Sequence, residues 1–327
     1  MNWKQKLPDP FVIGLVFMVF VASFFPFRLE YQHFFPLQEI IYWGITGIFF
    51  LYGLKLDPKK IRQDMGNWKL HMVVQLTTFM FFPLIVLIFH PLFVDSNYYL
   101  IWLATFYLAV LPSTVSSSVV MVSIAKGNLP AAIFNASMSG LFGLVLTPLW
   151  MSLFLARNSN GIALNDMIQQ LILQLLLPVL VGLMLNRFLS KMVRAHQTKI
   201  AWFDKIVIFL IVYKSFSAAF LNDVFSQVSS GVFAVLTAFI ILLFFCIYVS
   251  INWVSLKLSF SREDTITALF CGSKKSLVHG SVFVTLLIPD IATQSLFLLP
   301  IMLYHAFQLF YTSYKAKVFS RTVETNS

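Results

Sequence analysis

Two adjacent lysines, Lys274 and Lys275, stand in the middle of the run FCGSKKSLVHG (Phe270 to Gly280), inside a stretch otherwise apolar enough to cross a bilayer. A charge at that depth is costly, so such groups face a protected cavity, an ion path or a substrate path. The chemistry open to the pair is recognition of an anion or cycling of a proton on a desolvated amine. Ser273 and Ser276 flank them with hydroxyls. A second cluster, LPSTVSSS from Leu111 to Ser118, places Ser113, Thr114, Ser116, Ser117 and Ser118 directly after Pro112. A proline inside a helix frees backbone groups that hydroxyls can satisfy. Five hydroxyls in six residues exceed that need, and the excess reads as a substrate or ion site.

No carboxylate accompanies the lysines. The 13 Asp and Glu residues fall at the ends of apolar runs or between them. The ammonium groups are therefore uncharged through desolvation, held by carbonyl and hydroxyl dipoles, or balanced by a bound anion, and the sequence leaves these three open. The same absence argues against a carboxylate-built sodium or calcium site, although neutral oxygens alone bind sodium.

Weaker candidates surround the two clusters. Asn135, Ser137 and Ser139 either face the same place or pack closely with Gly140 and Gly143. Gln75, beside Thr77 and Thr78, and His279, one turn beyond Lys275, are further candidates. Lys214 reads as a side chain snorkelling to the membrane surface. His305 and Gln308, one turn apart, read as an interhelical hydrogen bond rather than a proton relay. A Ser-Lys hydrolase built on Ser273 or Ser276 would need an oxyanion site and a substrate gate, and no motif supplies them. No enzyme, no cofactor and no certain metal site is expected. Cys246 and Cys271 both lie in apolar runs and read as small buried side chains.

The elements that must position these residues are membrane spans. Of 327 residues, 59% are hydrophobic, 17% aromatic and 11% charged, with a mean hydropathy of +0.83. That excludes a soluble domain and implies a partner of membrane lipid. The net charge of +10 belongs to loops rather than to a nucleic-acid surface. Scanning for runs of about 20 apolar residues gives ten spans. They cover 11–27, 37–56, 70–89, 98–124, 130–155, 166–186, 203–221, 231–256, 264–288 and 293–315. The first resembles a secretory signal, but its exit through Phe24, Phe25, Pro26 and Phe27 lacks the small residues of a cleavage site, so it reads as a retained span.

Placing the N-terminus inside assigns 18 of the 23 Lys and Arg to the cytoplasmic side and two, Arg28 and Arg157, to the other, with three in spans. Both termini are thus expected in the cytoplasm, in the inner membrane if the source is bacterial. The turn-rich segment from Arg157 to Asp166 divides the spans five and five, giving repeats 1–157 and 158–327. An odd number per half requires the second to be inverted, the pattern of secondary transporters with broken helices at matching positions. The fourth and ninth spans match in this way, each with a polar break near its middle and a proline-containing turn after it. Lys274 lies 10 residues past Asp264, about 15 Å along the helix and near the midplane.

LPSTVSSS with AKGNLPAAIFNAS, together with FCGSKKSLVHG, resembles the sodium/bile acid cotransporter family, in the branch of sodium/bile acid cotransporter 7 and its bacterial relatives. The resemblance covers nearly the whole chain. It implies an all-α membrane protein of ten helices in two inverted five-helix repeats, with a core domain where helices 4 and 9 cross, a panel domain, and transport by alternating access. Sodium-coupled members carry a glutamate in helix 9 and a glutamine four residues later, where this chain has Phe270 and Lys274. The other sodium site keeps Ser118 but has Val119 where the family has asparagine. These departures tell against sodium coupling. The expected function is secondary transport of an organic, amphipathic anion, coupled to sodium, to protons or to neither. A sodium-coupled symporter using the remaining helix 4 and 5 oxygens, and a non-transporting regulator on the same fold, are the alternatives.

Overall fold

The computed structural model describes residues 10–56, 66–155, 169 and 172–324, and all regular structure among them is helical. A chain this apolar has no water to receive its backbone polar groups, and helices satisfy them internally. In chain order the helices are α1 (Pro10–Phe24), α2 (Leu37–Lys55), α3 (Trp68–Leu87), α4 (Tyr99–Val110), α5 (Ser116–Ile124) and α6 (Leu129–Leu155). There follow α7 (Leu177–Ala195, entered through a wide turn over Ile172–Leu176), α8 (Gln197–Leu221), α9 (Ser230–Lys257), α10 (Arg262–Gly272), α11 (Leu277–Leu287) and α12 (Ile291–Glu324).

Among the described residues six helical stretches are long and apolar enough to cross a membrane by length and composition: α2, α3, α6, Ile172–Leu189, α9 and Ile291–Arg321 of α12. The runs expected over 98–124 and 264–288 are each two short helices, with non-helical backbone over Leu111–Val115 and Ser273–Ser276. The polar clusters therefore coincide with the breaks. The dividing segment Arg157–Asp166, and the basic residues Lys4, Lys6, Lys59, Lys60, Arg62 and Arg157, lie outside the described residues.

Two compact units are present, and each takes segments from both halves of the chain. One comprises Met1–Pro58, Ser152–Ser229 and Gly280–Leu298. In it α2 and α7 approach backbone to backbone, because a Cβ at Gly53 would strike the Val179 carbonyl and one at Gly182 the Phe50 carbonyl. Small residues permit this contact where lipid supplies no hydrophobic drive between helices. Asn186 Nδ2 then donates to Leu54 O (2.7 Å) and Leu56 O (2.8 Å), using carbonyls that the end of α2 leaves open. Lys214 on α8 is half-buried.

The other unit comprises Lys59–Met151, Ser230–His279 and Leu299–Ser327 and holds both breaks. Asp264 ties its elements together at the start of α10. Its carboxylate accepts from Asn67 Nδ2 ahead of α3 and from Asn128 Nδ2 ahead of α6, both at 2.8 Å, while its N–H is capped by Ser261 Oγ.

Candidate functional site

The first break follows from Pro112, which has no N–H for the Leu108 carbonyl. Leu108 O instead takes the Leu111 N–H at 3.3 Å, and α4 ends. The proline ring rests against α6 at Gly143, where a Cβ would come within 2.7 Å of it. Freed backbone groups then find partners on α6. Val110 O accepts from Thr147 Oγ1 and Ser113 N donates to Ser139 Oγ, each at 2.8 Å.

The second break contains no proline, and side chains of α12 hold it open. Gln308 reads both backbone groups of Lys275: its Oε1 accepts the Lys275 N–H and its Nε2 donates to Lys275 O, each at 2.8 Å. Because a peptide N–H only donates and a carbonyl only accepts, this fixes which way the amide points. The remaining Nε2 hydrogen is then directed at His305 Nδ1 (2.9 Å), which must accept, so His305 carries its proton on Nε2. Tyr304 donates to Ser273 O at 2.6 Å. Ser276 is the N-cap of α11, its Oγ accepting the His279 N–H at 3.3 Å and meeting His279 Nδ1 at 2.9 Å.

The two breaks meet directly. Ser113 Oγ donates to Cys271 O (2.5 Å), and the Ser276 N–H donates to Pro112 O (2.8 Å). Into this crossing project both lysines, 0% and 1% exposed.

Their surroundings differ. Lys275 Nζ donates to Thr78 O (2.7 Å), Ala109 O (2.6 Å) and Leu111 O (2.8 Å), and lies 4.1 Å from the centre of the Phe82 ring. Thr78 O is open for a local reason. Phe82 N reaches back five residues to Thr77 O, and the next position is Pro83, which has no N–H. Lys274 Nζ has one close acceptor, Ser117 O at 3.0 Å, with Ser117 Oγ at 3.5 Å. Lys55 pairs with Asp204, but among the described residues neither buried lysine has a carboxylate partner. Asp264, at the start of α10, is already held by two asparagine amides.

The sequence candidates divide accordingly. Ser113, Ser139, Ser273, Lys274, Lys275 and Ser276 belong to the crossing. Thr114 Oγ1 links Ser117 Oγ and Ser118 Oγ, both at 2.8 Å, at the first turn of α5, and Ser116 is exposed. Asn135 joins a different cluster: its Nδ2 contacts His71 Nδ1 and Ala131 O (both 2.9 Å), and Gln75 Nε2 approaches its O (3.1 Å) and Oδ1 (3.3 Å). Gln75 Oε1 is buried with no hydrogen-bond partner. Ser137 is half-buried, and His279 Nδ1 meets Ser276 Oγ. The open carbonyl of Thr78, the roles of Phe82 and Tyr304, and the clamping role of Gln308 escaped the sequence reading. Pro83 was a signal for the first; nothing in the sequence points Gln308 at Lys275.

A family described as SBF-like CPA transporters matches residues 9–321. A protein of Escherichia coli (strain K12) named "Putative symporter YfeH" is 34% identical over 325 residues, covering 98% of this chain and 95% of that protein. "Uncharacterized protein PA2026" of Pseudomonas aeruginosa is 35% identical over 322 residues, covering 98% and 96%. "Sodium/bile acid cotransporter 7-B" of Xenopus laevis is 28% identical over 306 residues, covering 91% and 88%. The chain belongs to the SBF-like CPA transporter family; it is an integral membrane transporter, not an enzyme.

Proposed function

We propose that this family member is a secondary transporter for an organic, amphipathic anion, working by alternating access, and that Lys274 supplies the charge that recognises the anion. One observation carries the reading: Lys274 is fully buried, yet its three donors meet one close protein acceptor, and no carboxylate stands within ion-pair distance among the described residues. It also sits at the first turn of α5, where helix N–H groups favour negative charge. A cation placed there gains from an anion that both can share. The Ser117, Ser118 and Thr114 hydroxyls supply neutral donors beside it.

The same reading includes ten spans in two inverted repeats, 1–157 and 158–327, with both termini in the cytoplasm. Its support is the pairing of the two breaks, each joined to the other by backbone and hydroxyl bonds. The names of vertebrate relatives attach sodium and bile acid to those proteins. For this chain the anion is kept, and sodium is left out of the crossing because an ammonium occupies it. A second reading, sodium symport through oxygens of α3 and α6, is favoured by the unpartnered Gln75 Oε1 beside Asn135.

The test is counterflow of organic anions by the reconstituted protein, with and without sodium. Lys274→Gln is expected to lower uptake at least about tenfold, as loss of a buried charge partner does, while leaving the unfolding midpoint near that of the unaltered protein. Unchanged uptake removes Lys274 from recognition. Absence of counterflow under any gradient identifies a non-transporting regulator, and a sodium requirement selects the symport reading.

A further inference from the structure

We infer that the Thr78, Ala109 and Leu111 carbonyls form a monovalent-cation cage, and that the Lys275 ammonium is a cation tethered permanently within it. The three oxygens converge on one point at 2.6–2.8 Å, and the Phe82 ring face closes another side. They come from two elements. Ala109 O and Leu111 O belong to the C-terminal end of α4, where the aligned peptide dipoles present negative charge. Thr78 O is released by the wide turn and Pro83 in α3. Neutral oxygens aimed at one position, in a place buried from solvent, are the chemistry that holds sodium or potassium.

The donor count identifies what fills it. An ammonium has three N–H groups for three carbonyls, whereas a neutral amine has two and would turn its lone pair against the third oxygen. Burial strips the charge of water, and three carbonyl dipoles with a ring face replace that water. Gln308 holds the Lys275 backbone on both sides, so the tether has a fixed anchor. Lys275 thereby joins α3, α4 and the α10–α11 break with no dissociable ion. As a consequence, which rests on the transporter reading, the crossing keeps its shape whether or not an ion gradient exists.

The test needs no transport. Thermal unfolding of the purified full-length protein, followed by the fluorescence of its seven tryptophans, is compared in sodium, potassium and choline chloride at equal ionic strength. Lys275→Ala empties the cage. Its midpoint in choline is expected to fall by about 5–10 °C and to recover saturably with sodium or potassium. Lys275→Met fills the volume without charge and is expected to fall equally in all three salts. An alanine variant as stable as the unaltered protein in choline, or one that no alkali cation restores, overturns the cage. If the alanine variant does not survive purification, Lys275→Gln decides: its amide offers two donors and no charge, so a midpoint equal to that of the unaltered protein overturns the inference and a lowered one supports it. Loss of counterflow in Lys274→Gln leaves these melting curves unaffected, so the two readings fail separately.

Discussion

The break at Leu111–Val115 is written into its own segment, whereas the break at Ser273–Ser276 is imposed from outside. In the first, Pro112 withholds a donor, and the neighbouring hydroxyls and α6 tidy what it frees. In the second, every backbone N–H is chemically able to continue the helix. What competes successfully is a set of distant partners: Gln308 on both sides of Lys275, Tyr304 on Ser273 O, and Pro112 O on the Ser276 N–H. A helix interior therefore opens either when a donor is missing or when better-placed partners stand ready. The lysines belong to the second kind, and the opened backbone around them supplies carbonyl acceptors where no carboxylate stands among the described residues.

This contrast sets an order of costs. Gln308→Ala has the largest expected effect, about 3–4 kcal/mol, because it strands a buried N–H and a buried carbonyl together; denaturant or thermal unfolding in detergent measures it. A cost below about 1 kcal/mol would mean the second break is locally encoded after all. Ser139→Ala removes the acceptor of the Ser113 N–H at the proline-built break and should cost about 1–2 kcal/mol. Were it to match Gln308→Ala, the first break would depend on tertiary partners as heavily as the second. Ser116→Ala, at an exposed hydroxyl on the first turn of α5, should stay within about 0.5 kcal/mol and leave uptake unchanged. A larger loss of uptake would extend the anion site onto the outer face of α5.

The sequence went far on the fold because bilayer physics constrains it tightly. Apolar runs of spanning length predict helices, and the ends match closely at α6 (Leu129–Leu155 for 130–155) and α9 (Ser230–Lys257 for 231–256), whereas α7 runs on to Ala195 past 166–186 and α12 to Glu324 past 293–315. The polar clusters also read correctly as interruptions, since hydroxyls and lysines at that depth have few uses other than serving open backbone or a ligand. His305 and Gln308 were legible as polar groups serving another element, and Gln308 does bond the Lys275 backbone, while its 2.9 Å contact with His305 Nδ1 stays within α12. Their wider task was not, because a one-turn spacing on α12 says nothing about which backbone lies across from it.

By itself, then, the sequence determined a helical membrane protein with two interrupted spans, a proline-made opening at Pro112, and two lysines too deep to reach water. Local chemistry suffices for each, since donors, apolar length and depth are properties of a single segment. The tertiary structure alone decided that Lys275 is enclosed by three carbonyls while Lys274 keeps donors to spare, and that Asp264 is spent on two asparagines rather than on either lysine. Neighbours in sequence point to different surroundings once the helix unwinds between them. Which carbonyls converge is then fixed by α3, α4 and α12, elements that no reading of FCGSKKSLVHG contains.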